Sequence, residues 1–330
     1  MNESGAFLAL LRRDGVVHTP DARLRPLSGG VSCEIYLVED GAERFVAKRA
    51  LAKLKVKADW LADVGRNRHE WEYIRYVARF LPEAVPVLRH CSATDNYFTM
   101  EHLNGRFLNW KQLLLAGQAN VAHARHAGNV LAQIHRHSAG DAEARRLFDT
   151  TPNFFQLRIE PFLLTTGAKH PALRPWFEAE AVRLAATREC LVHGDFSPKN
   201  ILINGDRLVV LDCEVAWYGD PAFDLAFLLN HLCLKMLRHA PREIGVRPMI
   251  DGFWSAYQAG RPSPEIELRV GRLLLMLLLA RVDGKSPVEY LEAARQQFVR
   301  TFVQEQLPLG NFSLRDLADS WFSRLSQFGP

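Results

Sequence analysis

Val192-His193-Gly194-Asp195-Phe196-Ser197-Pro198-Lys199-Asn200-Ile201-Leu202 is the stretch of this 330-residue chain that decides how the remainder is read. Short apolar runs flank a polar loop containing His-x-Asp-x-x-x-x-Asn. Asp212 follows Asp195 by 17 residues, at the end of the apolar run 208–211. Phosphoryl transfer needs such a set: one carboxylate to orient or deprotonate an attacking hydroxyl, and a second carboxylate with an amide oxygen to hold Mg²⁺ against nucleotide phosphates. Asp195 fits the first role, and Asn200 with Asp212 fits the second. Asp195 alone would equally suit a turn aspartate capping a loop; the ordered set of Asp195, Asn200 and Asp212 decides against that. His193 reads as a brace that hydrogen-bonds backbone, not as a base.

Working upstream, Ser28-Gly29-Gly30-Val31-Ser32 precedes an apolar-rich strand. Paired glycines let backbone N–H groups approach phosphate, and the two serines add hydroxyl donors. The strands 33–39 and 44–49, joined by Asp40-Gly41-Ala42, form a hairpin. Lys48 lies on the returning strand, on the same face as Val46, placed to reach the α- and β-phosphates. Helical periodicity runs over 60–80 and is ended by Pro82 and Pro86. Glu70 on that helix, 22 residues after Lys48, is the carboxylate to fix it; Glu72 points to another side. Strands 87–91 and 97–101 complete a small β-rich unit with one helix. Beyond Gly105 the segments 120–138, 171–190, 222–239, 248–259, 264–282, 287–306 and 313–327 read as helices. They are interrupted by extended runs at 190–193, 201–203 and 208–212. The expected organisation is a nucleotide-binding lobe over 1–101 and a catalytic and acceptor-binding lobe over 102–330.

These residues resemble the aminoglycoside phosphotransferase family, within the protein-kinase-like fold. The matching motifs are Ser28 to Ser32, Val46-Ala47-Lys48, Glu70, Thr99-Met100-Glu101, Leu131-Ala132 with His135, His193 to Leu202, and Asp212 followed by Gly219-Asp220-Pro221-Ala222-Phe223-Asp224-Leu225-Ala226. They run from about residue 20 to 230; later helices match only in kind. The resemblance implies an α+β, protein-kinase-like two-lobed fold: a small antiparallel-sheet lobe with one main helix, and a larger, mostly helical lobe. It also implies that Asp224 is buried and accepts backbone hydrogen bonds from the catalytic loop. Glu101 to Leu103 would form a hinge whose backbone pairs with adenine, and Ala47 and Leu202 would sandwich the ring. Two departures stand out. Cys33 occupies a position where many relatives carry Asn, and Asp212-Cys213-Glu214 replaces the Asp-Phe-Gly of protein kinases. Glu214 has two readings, a group approaching the metal or a solvated turn residue.

Composition sets limits on the function. With 48% hydrophobic and 24% charged residues, the chain is ordinary globular material. Its net charge of +4 is too slight to argue for a nucleic-acid partner. Five cysteines without a close pair read as reduced thiols of a cytoplasmic protein. Residues 1–11 lack the charge and the apolar length of a signal peptide. The longest apolar run, 273–280, is too short to span a bilayer and reads as a buried helix. His123, His126, His135 and His137 share a helix with no carboxylate or Cys to complete a zinc shell. Lys53, Lys55 and Lys57 read as a solvated loop. Phe253, Trp254 and Tyr257 read as core.

The expected activity is ATP-dependent transfer of a phosphoryl group to a hydroxyl of a small molecule, with ATP and Mg²⁺ as cofactors and neither nucleic acid nor membrane as partner. Sugar, amino-alcohol, choline-like and antibiotic acceptors stay open. Residues 225–330 hold 10 acidic residues against 13 Lys and Arg, whereas a polycationic acceptor favours an acidic pocket. Two alternatives carry less. A protein kinase would need a longer activation segment after Asp212 than the chain has before Gly219-Asp220-Pro221. A nucleotide-binding pseudokinase would normally lack Lys48, Asp195 or Asp212.

Overall fold

The structure, a computed structural model, describes residues 3–27, 33–50, 65–92, 94–242 and 244–328. The chain divides into two compact units, 1–107 and 108–330. The first begins with helix α1 (Glu3–Arg13), followed by strands β1 (Arg23–Pro26), β2 (Cys33–Asp40) and β3 (Glu43–Ala50), helix α2 (Arg66–Val77), and strands β4 (Leu88–Cys91) and β5 (Tyr97–Glu101). The strands form one antiparallel sheet in the order β1-β2-β3-β5-β4. Alternation along β3 sends successive side chains to opposite faces. Phe45 and Ala47 join Phe7, Leu11, Tyr36, Val38 and Tyr97 in a core against α1. Lys48, opposite Phe98 in register, points the other way, where Trp71 of α2 meets the Phe98 ring. The predicted helix over 60–80 is described only from residue 65, and the lysines at 53, 55 and 57 lie outside the described residues.

The second unit is mostly helical. In chain order it contains β6 (Leu108–Asn109), α3 (Trp110–Leu115), α4 (Val121–Ser138), α5 (Ala142–Leu147) and α6 (Thr151–Phe154). A wide-turn π-helix (Phe155–Leu164) and α7 (Thr165–Lys169), α8 (Arg174–Ala186) and β7 (Cys190–Val192) follow. Then come β8 (Ile201–Asn204), β9 (Arg207–Val210), β10 (Trp217–Gly219), α9 (Ala222–His239) and α10 (Val246–Gly260). The chain continues through α11 (Ile266–Asp283), α12 (Ala293–Leu309) and α13 (Leu314–Arg324). Two small antiparallel sheets, β6-β8-β9 and β7-β10, carry the polar loop between them.

The apolar run in α11 is buried, as its composition predicts, and α9 is buried from Ala222 to Leu237. Among the described residues no helix is long and apolar enough to cross a membrane. The segment 140–169, which has no clear helical period in the sequence, is nonetheless largely helical. Its centre is wound with the wider i→i+5 turn and contains Pro161, so a 3.6-residue pattern does not fit it.

Candidate active site

In the first unit, Lys48 and Glu70 make an ion pair of 2.6 Å, with the side chains only 3% and 1% exposed. The strand explains Lys48, and α2 explains Glu70. Glu70, Tyr73, Ile74 and Val77 lie one turn apart along the buried face of the helix. Glu72 lies off that face and pairs with Arg75 at 2.7 Å. A buried pair of this kind adds little net stability, and removing one partner strands the other charge. Glu101 at the end of β5 is clipped to Val87: its backbone N–H donates to the Val87 carbonyl at 2.8 Å, and its carboxylate accepts from the Val87 N–H at 3.1 Å. Leu103 is partly exposed.

One expectation is corrected here. Ala47 is fully buried in the core against α1, on the sheet face opposite Lys48, and cannot pack on a base lying on the Lys48 face. Val46, two residues before Lys48 in alternation, shares its face. Ser28, Gly29, Gly30, Val31 and Ser32 lie outside the described residues.

In the second unit the polar loop is built from below by Asp224. This carboxylate, fully buried in the first turn of α9, accepts from the backbone N–H groups of His193 at 2.7 Å and Gly194 at 2.9 Å. His135 of α4 stands behind it, with Nε2 at 3.3 Å from Asp224 and Nδ1 at 3.1 Å from the Tyr257 hydroxyl. His193 braces the loop from within. The Asp195 N–H donates to its Nδ1 at 3.0 Å, which leaves Nε2–H to donate to the Leu211 carbonyl at 3.1 Å. Burial lowers the affinity of this imidazole for a second proton, against the pull of Asp224, Asp195 and Asp212. A base must be free to take a proton, and His193 is not.

Gly194 has φ +76°, and a Cβ there would lie 2.6 Å from the Val215 carbonyl. Only glycine fits the position. Asp195, thus presented, is flanked by Arg158 at 3.2 Å and Lys199 at 3.1 Å. Arg158 comes from the wide-turn helix, and its Nε also donates to the Gly194 carbonyl. Its only trace in the sequence is a lone cation among apolar neighbours, and motif spacing does not find it.

Asn200 donates from Nδ2 to the Asp195 carbonyl at 3.1 Å, and its own carbonyl accepts from Leu211 N–H at 2.8 Å. That bond lays the strand end carrying Asp212 beside Asn200. Asp212 adopts a left-handed backbone, φ +63°, uncommon for a non-glycine residue and frequent at functional sites. A carboxylate and an amide oxygen are hard donors suited to Mg²⁺, which takes few protein ligands and completes its shell with phosphate and water. Glu214 is buried, which removes its reading as a solvated turn residue. Leu202 on β8, opposite Val209 in register, is partly exposed.

Residues 23–265 match the phosphotransferase enzyme family. The chain belongs to that family. Within the phosphotransferase family, the methylthioribose kinase of Bacillus cereus (strain AH820) is 23% identical over 238 residues, 64% of this chain. The match spans 60% of that relative's length. Solved structures share the fold. The amicoumacin kinase complex with AMP-PNP, Ca²⁺ and Ami aligns with a TM-score of 0.57, at 13% identity, over 97% of this chain and 100% of that one. The Plasmodium vivax ethanolamine kinase aligns with a TM-score of 0.55, at 12% identity, over 98% of this chain and 89% of that one. The α+β, kinase-like fold is therefore shown.

Proposed function

We propose that this phosphotransferase-family protein transfers the γ-phosphoryl group of ATP to a hydroxyl of a small molecule. The observation that carries the reading is the loop 193–200. Asp224 and His193 fix its backbone, Arg158 and Lys199 hold the Asp195 carboxylate, and the bond from Leu211 N–H to the Asn200 carbonyl ties the strand end before Asp212 to Asn200. The acceptor hydroxyl donates to Asp195, which takes its proton as the oxygen attacks the γ-phosphorus. The bond from that phosphorus to the β–γ bridging oxygen breaks, and its electron pair leaves with ADP. Lys48, fixed by Glu70, and residues 28–32 hold the phosphates. Val46 and Leu202 contact the base, and the Glu101–Leu103 backbone pairs with its edge. Asn200 and Asp212 would hold Mg²⁺, which would supply charge neutralisation at the phosphate oxygens.

The test is ADP release from Mg-ATP across a panel of small alcohols, beside calorimetric titration with ATP. Acceptor-dependent release that is lost in Asp212→Asn, with the fold intact, is the expected result. A protein that binds no nucleotide would end the proposal.

A further inference from the structure

Near Asp195 lies a cluster of buried and half-buried basic side chains that the transfer steps do not use. Helix α9 carries His231 and Lys235 one turn apart on one face. Lys235 is 1% exposed. Among the described residues it has neither an ion-pair nor a hydrogen-bond partner; its recorded contact is the Tyr290 ring, 5.4 Å away. The charged groups acting on it are Lys111 of α3 and Arg281 of α11, both cationic. His231 faces the same two, together with Lys235 and Lys199.

Arg281 connects this cluster to the reacting carboxylate. Asp195 and Arg158 both act on it, along with Tyr290 and Glu289. Both guanidinium groups lie against the Phe162 ring, Arg158 at 5.7 Å and Arg281 at 5.8 Å from its centre. Arg281 hydrogen-bonds the backbone carbonyl of Ser286, and its hydroxyl at 3.0 Å. Its Nε, like the Tyr290 hydroxyl, is buried without a hydrogen-bond partner. Two donor atoms, one on Arg281 and one on Tyr290, thus stand buried without an acceptor.

Burying a cation without a counter-charge is costly, and proteins avoid it unless something else requires it. This protein obeys that rule at Lys48, where Glu70 answers the charge. At Lys235 no carboxylate does, and burial together with Lys111 and Arg281 pushes the ammonium down to about 7. A polycation entering here would meet Lys111, Lys235 and Arg281. An anion would supply the charge and the acceptor atoms that the cluster lacks.

We propose that the acceptor is a small alcohol bearing an oxyanion group, a carboxylate or a phosphate, and that Lys235, Arg281, Lys111 and the Tyr290 hydroxyl receive that group while its hydroxyl is presented to Asp195. The identity of this ligand as acceptor rests on the phosphotransfer reading; the presence of an anion site does not. The Phe162 ring, which meets both Arg158 and Arg281, and Arg158, which pairs with Asp195, connect the two.

The test measures ADP release with glycerate and gluconate, glycerol 3-phosphate and ribose 5-phosphate, glycerol and ribose, and choline, ethanolamine and kanamycin. The expected result is preference for one of the two anionic pairs, which also identifies the oxyanion. In Lys235→Met, kcat/KM for that acceptor should fall by about 10–10²-fold, the loss for hydrogen bonds to a charged group. KM for ATP should stay within about twofold. Preference for neutral or cationic acceptors would overturn the proposal and leave the kinase reading standing. If no acceptor turns over, thermal unfolding with sulfate against chloride at equal ionic strength decides, with Mg-ADP in both. Sulfate stabilises proteins generally, so the readout is the extra rise of wild type over Lys235→Met. An extra rise supports the site and its absence rejects it. This arm also answers when nucleotide does not bind, the outcome that rejects only the phosphotransfer reading.

Discussion

Asp195 illustrates how a single side chain is given a role by its neighbours. Two cations, Arg158 and Lys199, hold its carboxylate, and a glycine that tolerates no Cβ presents it. Asp195→Ala should lower kcat by about 10²–10⁴-fold, the usual weight of a general base, with little change in the calorimetric affinity for ATP. Lys48→Ala should instead weaken ATP binding, because it removes the proposed phosphate contact and leaves Glu70 buried without its partner. Loss of ATP binding in Asp195→Ala, with turnover kept at saturating ATP, would make Asp195 a nucleotide ligand. Gly194→Ala should lose activity as thoroughly as Asp195→Ala, since the new methyl meets the Val215 carbonyl. At this scale the sequence is most legible where chemistry imposes order along the chain, as it does for Asp195, Asn200 and Asp212. The expectation for Ala47 fails because adjacent residues on a strand face opposite ways, so Ala47 joins Phe45 on the face away from Lys48.

Elements show a second kind of organisation, in which motif residues serve architecture. Asp220, fully buried, accepts from the Ala222 N–H at 2.9 Å and so starts α9. It also pairs with Arg183 of α8 at 2.6 Å and Arg269 of α11 at 3.0 Å. Three helices meet at one carboxylate, and α9 in turn supplies Asp224 to the loop. Asp220→Ala should therefore cost about 3 kcal/mol in urea denaturation, as breaking a buried pair does. Surviving folded protein should bind ATP normally; loss of ATP binding without loss of stability would contradict the assignment. The wide-turn helix is the opposite case. It delivers Arg158 to Asp195 and to the Gly194 carbonyl, two contacts at fixed geometry. Arg158→Lys keeps the charge but cannot make both, so kcat should drop by up to about 10²-fold while KM for ATP holds. An unchanged kcat would show that the charge alone suffices. The long helix α4 is legible because its apolar residues recur at helical period, and α11 because its unbroken apolar run is too short to span a bilayer and reads as a buried helix. The segment 155–164 is not, because its winding departs from that period and its reason for being there is a contact far along the chain.

On the scale of the whole molecule, the buried cations leave a signature in the dependence of stability on pH. Lys235 has an ordinary pKa of 10.5 when unfolded and about 7 when folded. Below about 7 it is protonated in both states, and the folded state bears the full penalty of the buried charge. Between about 7 and 10.5 the unfolded chain binds the extra proton, so stability from this group rises with pH across that window. Above 10.5 both states are neutral and the penalty is gone. The same groups set the sign from every side: Lys111 and Arg281 disfavour the charge, Tyr290 offers only its ring, and no carboxylate among the described residues acts on Lys235. Lys235→Met replaces a buried cation with an apolar side chain of similar length, a change that is often neutral or stabilising. The variant should therefore be more stable than wild type at pH 6, and the two should converge as pH rises from 7 towards 10. Reversible denaturation at a series of pH values checks this, and parallel curves would show that Lys235 carries no buried charge. A saturating oxyanion should remove the wild-type slope, because a bound counter-charge restores the ordinary preference of the lysine for its proton. The stability given up at Lys235 without ligand is then the origin of its selectivity for an anion.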